Sequence, residues 1–255
     1  QLLNEIERMV AMNCTAVDIA YTPADLYRLK REGKKAIMLG IENGYAIGKD
    51  LTNVERFRNR GVVYMTLCHN GNNDICGSAR YNDEYIGVTP FGEQVIREMN
   101  RIGMMVDLSH AGEQTFYDTL DISSKPVVCS HSSSRALCDH PRNLTDEQLK
   151  AIARKGGVVQ VCLYSGFLRT DAPATICDAI EHLHHMVNIM GIEHVGIGTD
   201  FDGIEVTPAG LENISKIGVI FDEMSSRGYT DDQIEKVAGK NFLRVFNDVT
   251  SLTAK

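Results

Sequence analysis

The chain has 255 residues, 43% of them hydrophobic and 24% charged, with a formal net charge of -8 at pH 7. That balance fits one globular domain over residues 1–255, a length at which α/β barrels occur as single units. The charge argues against nucleic-acid binding, which shows as a basic patch or stripe, and no apolar run approaches the roughly 20 residues that cross a bilayer. Seven cysteines, an odd number without a CxxC pair, suggest neither a disulfide framework nor a thiolate zinc knuckle. The expectation is a soluble protein, with the choice between cytoplasm and periplasm left open.

In chain order, Leu2, Leu3, Ile6, Met9 and Val10 recur at helical spacing, so residues 1–12 read as an amphipathic helix. Thr22-Pro23-Ala24-Asp25 then has the form of a helix start, with Thr22 as N-cap and Pro23 in the first turn. From there the pattern alternates between strands and helices. The strands are Ala36–Ile41, Val62–Leu67, Met104–Leu108, Val127–Ser130, Val158–Leu163 and Val195–Gly198, each short and almost continuously apolar. Helices are expected over residues 90–101, 146–155, 177–190 and 231–247, with Thr145 and Thr230 as N-caps and Gly156 and Gly191 as stops.

Such alternation means a parallel sheet. An open doubly wound sheet calls for a Gly-rich phosphate turn, and neither GxGxxG nor GxxxxGK[ST] occurs. The expected fold is therefore α/β, a (β/α)8 TIM-type barrel whose first two strands are absent from the sequence given.

Five strands run directly into a polar residue: AIMLGIE ends at Glu42, VVYMTLCH at His69, MMVDLSH at His110, PVVCSH at His131 and HVGIGTD at Asp200. Strand ends of a barrel converge on the face that carries the active site. One histidine at a strand end is ordinarily a hydrogen-bonded structural group, and one carboxylate is commonly a helix cap. Five together form a metal-type donor set, because imidazole and carboxylate suit Zn2+. Two ions sharing a bridging carboxylate would lie ~3.5–4 Å apart and could activate water while polarising a carbonyl. His182, His184 and His185 share one helical stretch but lack the spacing and glutamate of a zinc helix. His140 and His194 are poor ligand candidates by position, and Ser130-His131-Ser132-Ser133 has no GxSxG elbow. Arg142, in a loop after a site strand, is either a surface cation or a carboxylate clamp.

The stretches GIENGYAIG, YMTLCHNGNND, TPFGEQVIREMNRIGMMVDLSHA, KPVVCSHSSSRAL, HPRNLTDEQLKAIARKGGVVQV and HVGIGTDFDGI resemble the membrane (renal) dipeptidase family. The likeness covers nearly the whole chain. It implies a zinc-dependent dipeptidase with two Zn2+ ions bridged by Glu42, and His110 and His131 as further ligands of one ion. It implies His69 at the substrate carbonyl, Asp200 as the proton carrier and Arg142 on the substrate's terminal carboxylate. The family's first strand ends in His-x-Asp, and no HxD precedes Glu42 here. The leading expectation is a dipeptidase acting on a small-molecule dipeptide, with homodimerisation as an accompaniment of such barrels. The alternatives are a non-catalytic remnant or metal-binding protein, and an amidohydrolase acting on another small amide or lactam. A loop over residues 71–87 is expected to cover the site.

Overall fold

The computed structural model describes residues 2–80 and 86–251. Among the described residues eight short strands are formed: β1 (Val17–Ile19), β2 (Lys35–Ile37), β3 (Leu39–Glu42), β4 (Val62–Thr66), β5 (Met105–Asp107), β6 (Val128–Cys129), β7 (Val158–Cys162) and β8 (Val195–Gly198). β1 and β2 make a separate parallel pair, and the other six form one parallel sheet in the order β3-β4-β5-β6-β7-β8. The α/β class and the parallel sheet agree with the sequence reading. Eight-fold closure is not reached: among the described residues β3 and β8 are the sheet's two edges.

Three details differ from that reading. The apolar run Ala36–Ile41 breaks at Met38, so its first half pairs with β1 and its second half opens the main sheet. β1 itself lies in a region read as helix and loop, because three residues are too few to show a two-residue period. The helix expected over residues 231–247 is also interrupted. Asp231–Glu235 and Asn241–Thr250 flank a wide turn at Lys236–Lys240, where Gly239 adopts an extended φ of 173°.

The expected caps form. Thr22 and Asp25, Thr145 and Gln148, and Thr230 and Gln233 each make a reciprocal capping box, in which side chain and backbone N–H exchange hydrogen bonds. Successive residues of a strand serve opposite faces. Val62, Met104, Val127 and Val159 face a large outer core beneath the helices. Their neighbours Val63, Met105, Val128 and Val158 gather in a smaller inner cluster with Val245, Phe246 and Val249 of the last helix. Those inner residues stand at the starts of β4 to β7, so the last helix plugs the N-terminal end of the strands. The C-terminal ends are left for polar groups.

The sheet is curved. Glu42 at the end of β3 and Asp200 just past β8 lie at opposite edges of the sheet, yet they line the same cavities. Close packing across the interior depends on Gly198: a Cβ there would sit 1.8 Å from the Ser130 carbonyl oxygen. Of the loop expected over the site, residues 71–80 and 86–87 are described, and Tyr81–Tyr85 lie outside the described residues. No described helix is long and apolar enough to cross a membrane.

Gly198→Ala must push β8 away from the end of β6. It is expected to lower the free energy of unfolding by about 1–3 kcal/mol, the usual cost of overpacking, as measured by denaturant titration. An unfolding midpoint equal to wild type would show that the interior yields at no cost.

Candidate metal and active site

Three donor atoms meet at the C-terminal rim of the sheet. His110 Nε2 lies 2.9 Å from His131 Nε2, and Glu42 Oε1 lies 3.2 Å from the first and 3.4 Å from the second. The far side of each ring fixes its proton. His110 Nδ1 is 3.1 Å from Asn70 Oδ1, an amide oxygen that can only accept, so Nδ1 carries the hydrogen. His131 Nδ1 is 2.8 Å from Ser130 Oγ, whose own proton goes to Asp107 Oδ2 at 2.6 Å. Ser130 therefore accepts from His131, and Nδ1 again carries the hydrogen. Both Nε2 atoms are then bare lone pairs facing each other and a carboxylate oxygen. Such a cluster is repulsive on its own and is matched by a cation at its centre.

Protonation does not relieve it. Burial, aided by the positive charge of Arg142, pushes His110 down to about 2 and His131 down to about 4. Both rings are neutral at physiological pH, the form that binds metal. The donor set thus fits a divalent metal, and among the described residues it is the group of His, Cys, Asp or Glu side chains close enough to hold one.

The other strand-end residues border this cluster. His69 Nε2 is 3.8 Å from Glu42 Oε1, and its ring centroid is 4.3 Å from that of His110. Asp200 shares a cavity of ≈ 460 Å³ with Glu42, His69, His110 and Arg142. Burial foremost, and then the charge of Glu42, push the Asp200 carboxyl up to about 6, against the opposing pull of Arg142. Among the described residues, three that are not glycine adopt positive φ: Asn43 (86°), His110 (71°) and Asp200 (58°). Two are site residues and the third follows Glu42, the clustering expected where backbone strain is held for function.

Arg142 is 6% exposed. Its contacts are a 3.4 Å hydrogen bond from Nη2 to the His131 carbonyl and the face of Phe167, 5.3 Å from ring centroid to guanidinium carbon. No carboxylate pairs with it among the described residues. A guanidinium facing a cavity has the donor geometry to take a carboxylate in a bidentate pair.

The histidines set aside from the sequence have structural partners. His182 accepts from Ser134 N–H and donates to the Leu168 carbonyl, His185 pairs with Asp146, and His194 donates to the Gly157 carbonyl. His140 lines the Arg142 cavity, and its Nδ1 accepts the Arg142 backbone N–H at 3.1 Å. The sequence reading passed over Asn70, Asp107 and Phe167. Only Asp107 left a signal there, as a charged residue inside the apolar strand MMVDL.

This combination is a parallel α/β fold with a three-donor cluster that could hold a metal and a buried guanidinium on one rim. The chain belongs to the membrane dipeptidase family (peptidase family M19), whose model matches residues 1–255. It is 41% identical to an uncharacterized dipeptidase of Schizosaccharomyces pombe over 223 residues, 85% of this chain and 54% of that protein. It is 34% identical to a dipeptidase of Claviceps purpurea over 256 residues, 100% of this chain and 60% of that protein. The chain therefore spans between half and two thirds of the length of these relatives. A metallo peptidase from Rhodobacter sphaeroides, solved with a phosphinate mimic of the dipeptide L-Ala-D-Ala, superposes with a TM-score of 0.90 at 26% identity. That match covers 96% of this chain and 72% of the other.

The raised Asp200 pKa has a sign that can be tested on metal-free protein. An unfolded aspartate titrates near 3.9, so the folded chain holds this proton more tightly. The resulting stabilisation is full below pH ~4 and is lost as pH rises through about 6. Asp200→Asn, which tolerates the same left-handed backbone, is expected to raise the melting temperature at pH 8. The gain should vanish by pH 4. Equal melting curves at pH 8 would contradict the shifted carboxyl.

Proposed function

We propose that this chain carries the catalytic centre of a metallo-dipeptidase. The observation that carries the reading is the pairing of a three-donor metal cluster with the buried Arg142 in one cavity. Family membership and the dipeptide mimic bound by the Rhodobacter protein support it.

Glu42, His110 and His131 would hold the metal, and two imidazoles with a carboxylate suit Zn2+. Glu42 also lines the cavity at the open edge beside Asp200, which suits it to bridge to a second ion as the family resemblance implies. A divalent cation held there supplies Lewis-acid polarisation of a carbonyl and an acidified water. The rest falls to side chains. Arg142 takes the terminal carboxylate in a bidentate pair and fixes the register of the substrate. His69, exposed enough to reach ligand and beside Glu42, donates to the oxygen of the scissile carbonyl as negative charge develops. Asp200, with a carboxyl raised towards neutrality, accepts the proton of the attacking water and returns it to the departing amine. Asp200 and Glu205 in the same cavity supply negative charge for the substrate's free ammonium. Charge requirements at both ends would limit the substrate to two residues.

Two measurements test this. A chelator should abolish hydrolysis of a dipeptide panel, and added Zn2+ should restore it; turnover that survives chelation overturns the reading. Arg142→Met should raise KM for a dipeptide by about 10- to 100-fold, the worth of charged hydrogen bonds. The corresponding dipeptide amide, which lacks the charge, should lose far less. Equal losses on acid and amide would deny Arg142 its role.

A further inference from the structure

Behind His131 lies a buried polar network that no step of the proposed reaction uses. Asp107, the last residue of β5, is fully shielded from solvent. Four donors point at it, and its two oxygens divide them. Oδ1 accepts the backbone N–H of Ser109 at 3.0 Å and of Ser130 at 2.9 Å. Oδ2 accepts the hydroxyls of Thr66 at 2.5 Å and of Ser130 at 2.6 Å.

Oδ1 acts as masonry. β5 and β6 share one register pair, Asp107 with Val128, and the bond to Ser130 N–H extends that ladder beyond the strand. Oδ2 acts on protons. A serine hydroxyl has one hydrogen, and Ser130 gives it to Asp107. The hydroxyl can then only accept from His131 Nδ1, which leaves Nε2 bare on the side of Glu42 and His110.

We propose that Asp107 is a positioning residue which, through Ser130, holds the proton of His131 on Nδ1 and thereby keeps Nε2 free for the metal. This inference rests on the metal-site reading above. It does not extend to His110, whose Nδ1 is held by Asn70 instead, so that ring serves as an internal control.

Asp107→Asn separates the two functions because the side chains are nearly isosteric. The amide oxygen can keep both backbone N–H bonds, while the amide nitrogen donates where Oδ2 accepted. Ser130 then accepts from residue 107 and turns its own hydrogen to His131 Nδ1, the nearer acceptor at 2.8 Å against 3.4 Å for Ser109 Oγ. The ring proton moves to Nε2, where it obstructs the metal. Ser130→Ala removes the relay without touching Asp107, and Ser130→Thr keeps the hydroxyl.

The tautomer is read by long-range 1H–15N NMR of the histidine rings in metal-free protein. Wild type and Ser130→Thr should show His131 protonated on Nδ1, Asp107→Asn on Nε2, and Ser130→Ala a mixture, with His110 unchanged throughout. Zn2+ affinity, measured by competition with a chromophoric chelator, should fall about 10- to 100-fold in Asp107→Asn, the usual effect of losing an outer partner of a metal-binding histidine. Ser130→Thr should retain it. An Nδ1–H tautomer in Asp107→Asn and Ser130→Ala alike overturns the inference, and so does an affinity loss without a change of tautomer, which marks a merely structural residue. A wild-type protein that takes up no Zn2+ defeats the metal-site reading instead. The tautomer measurement, made without metal, still decides the role of Asp107.

Discussion

Two imidazole nitrogens and a carboxylate oxygen, all offering lone pairs and none a proton, are held within 3.4 Å of one another. Left alone, such a group would drift apart, so the surrounding fold must hold it against its own repulsion. The sheet does so by delivering each residue from a different strand, and the rings are pinned on their far sides by Asn70 and Ser130. His110 is further constrained by a left-handed backbone, a conformation that costs of order 1–3 kcal/mol for such a residue and persists only where neighbours over-determine it. The packed inner cluster around Phe246 sits at the other end of the strands. Stability is thus concentrated where chemistry is absent, and the polar rim can be strained without unfolding the sheet.

The two sides of the reaction cavity are built on different principles. Around the donor cluster, neutral histidines and hydrogen bonds create a place for positive charge. Around Arg142, a charge has been buried in advance beside Phe167, with no carboxylate paired to it among the described residues. A metal would suit the first side and a carboxylate-bearing ligand the second, in keeping with the function proposed above.

Much of this was legible in the sequence because it depends on features with a strong pattern. The apolar runs ending at Glu42, His69, His110, His131 and Asp200 place the rim, and the Thr-x-x-Gln and Thr-x-x-Asp boxes place three helix starts. Short-range interruptions were not legible. Nothing in Ala36–Ile41 marks the break at Met38, and β1 is too brief to show a period. Asp107 was present as a charge within an apolar strand, but its meaning needed the third dimension: its partners Thr66 and Ser130 lie 41 and 23 residues away. The burial of Arg142 against Phe167 is likewise a property of the packed chain and has no local signature.

The curvature that brings Glu42 and Asp200 into shared cavities also makes them the last residues along the two free margins of the sheet. Each margin is a four-residue strand, too short to template extensive pairing with another backbone. A segment docking between β3 and β8 would gain few main-chain hydrogen bonds and would need side-chain contacts with Met38, Tyr64 and Phe242, which line the gap. Glu42 and Asp200 line that same gap. The separation of the two sheet margins and the spacing of the Glu42 and Asp200 carboxylates are therefore one mechanical variable.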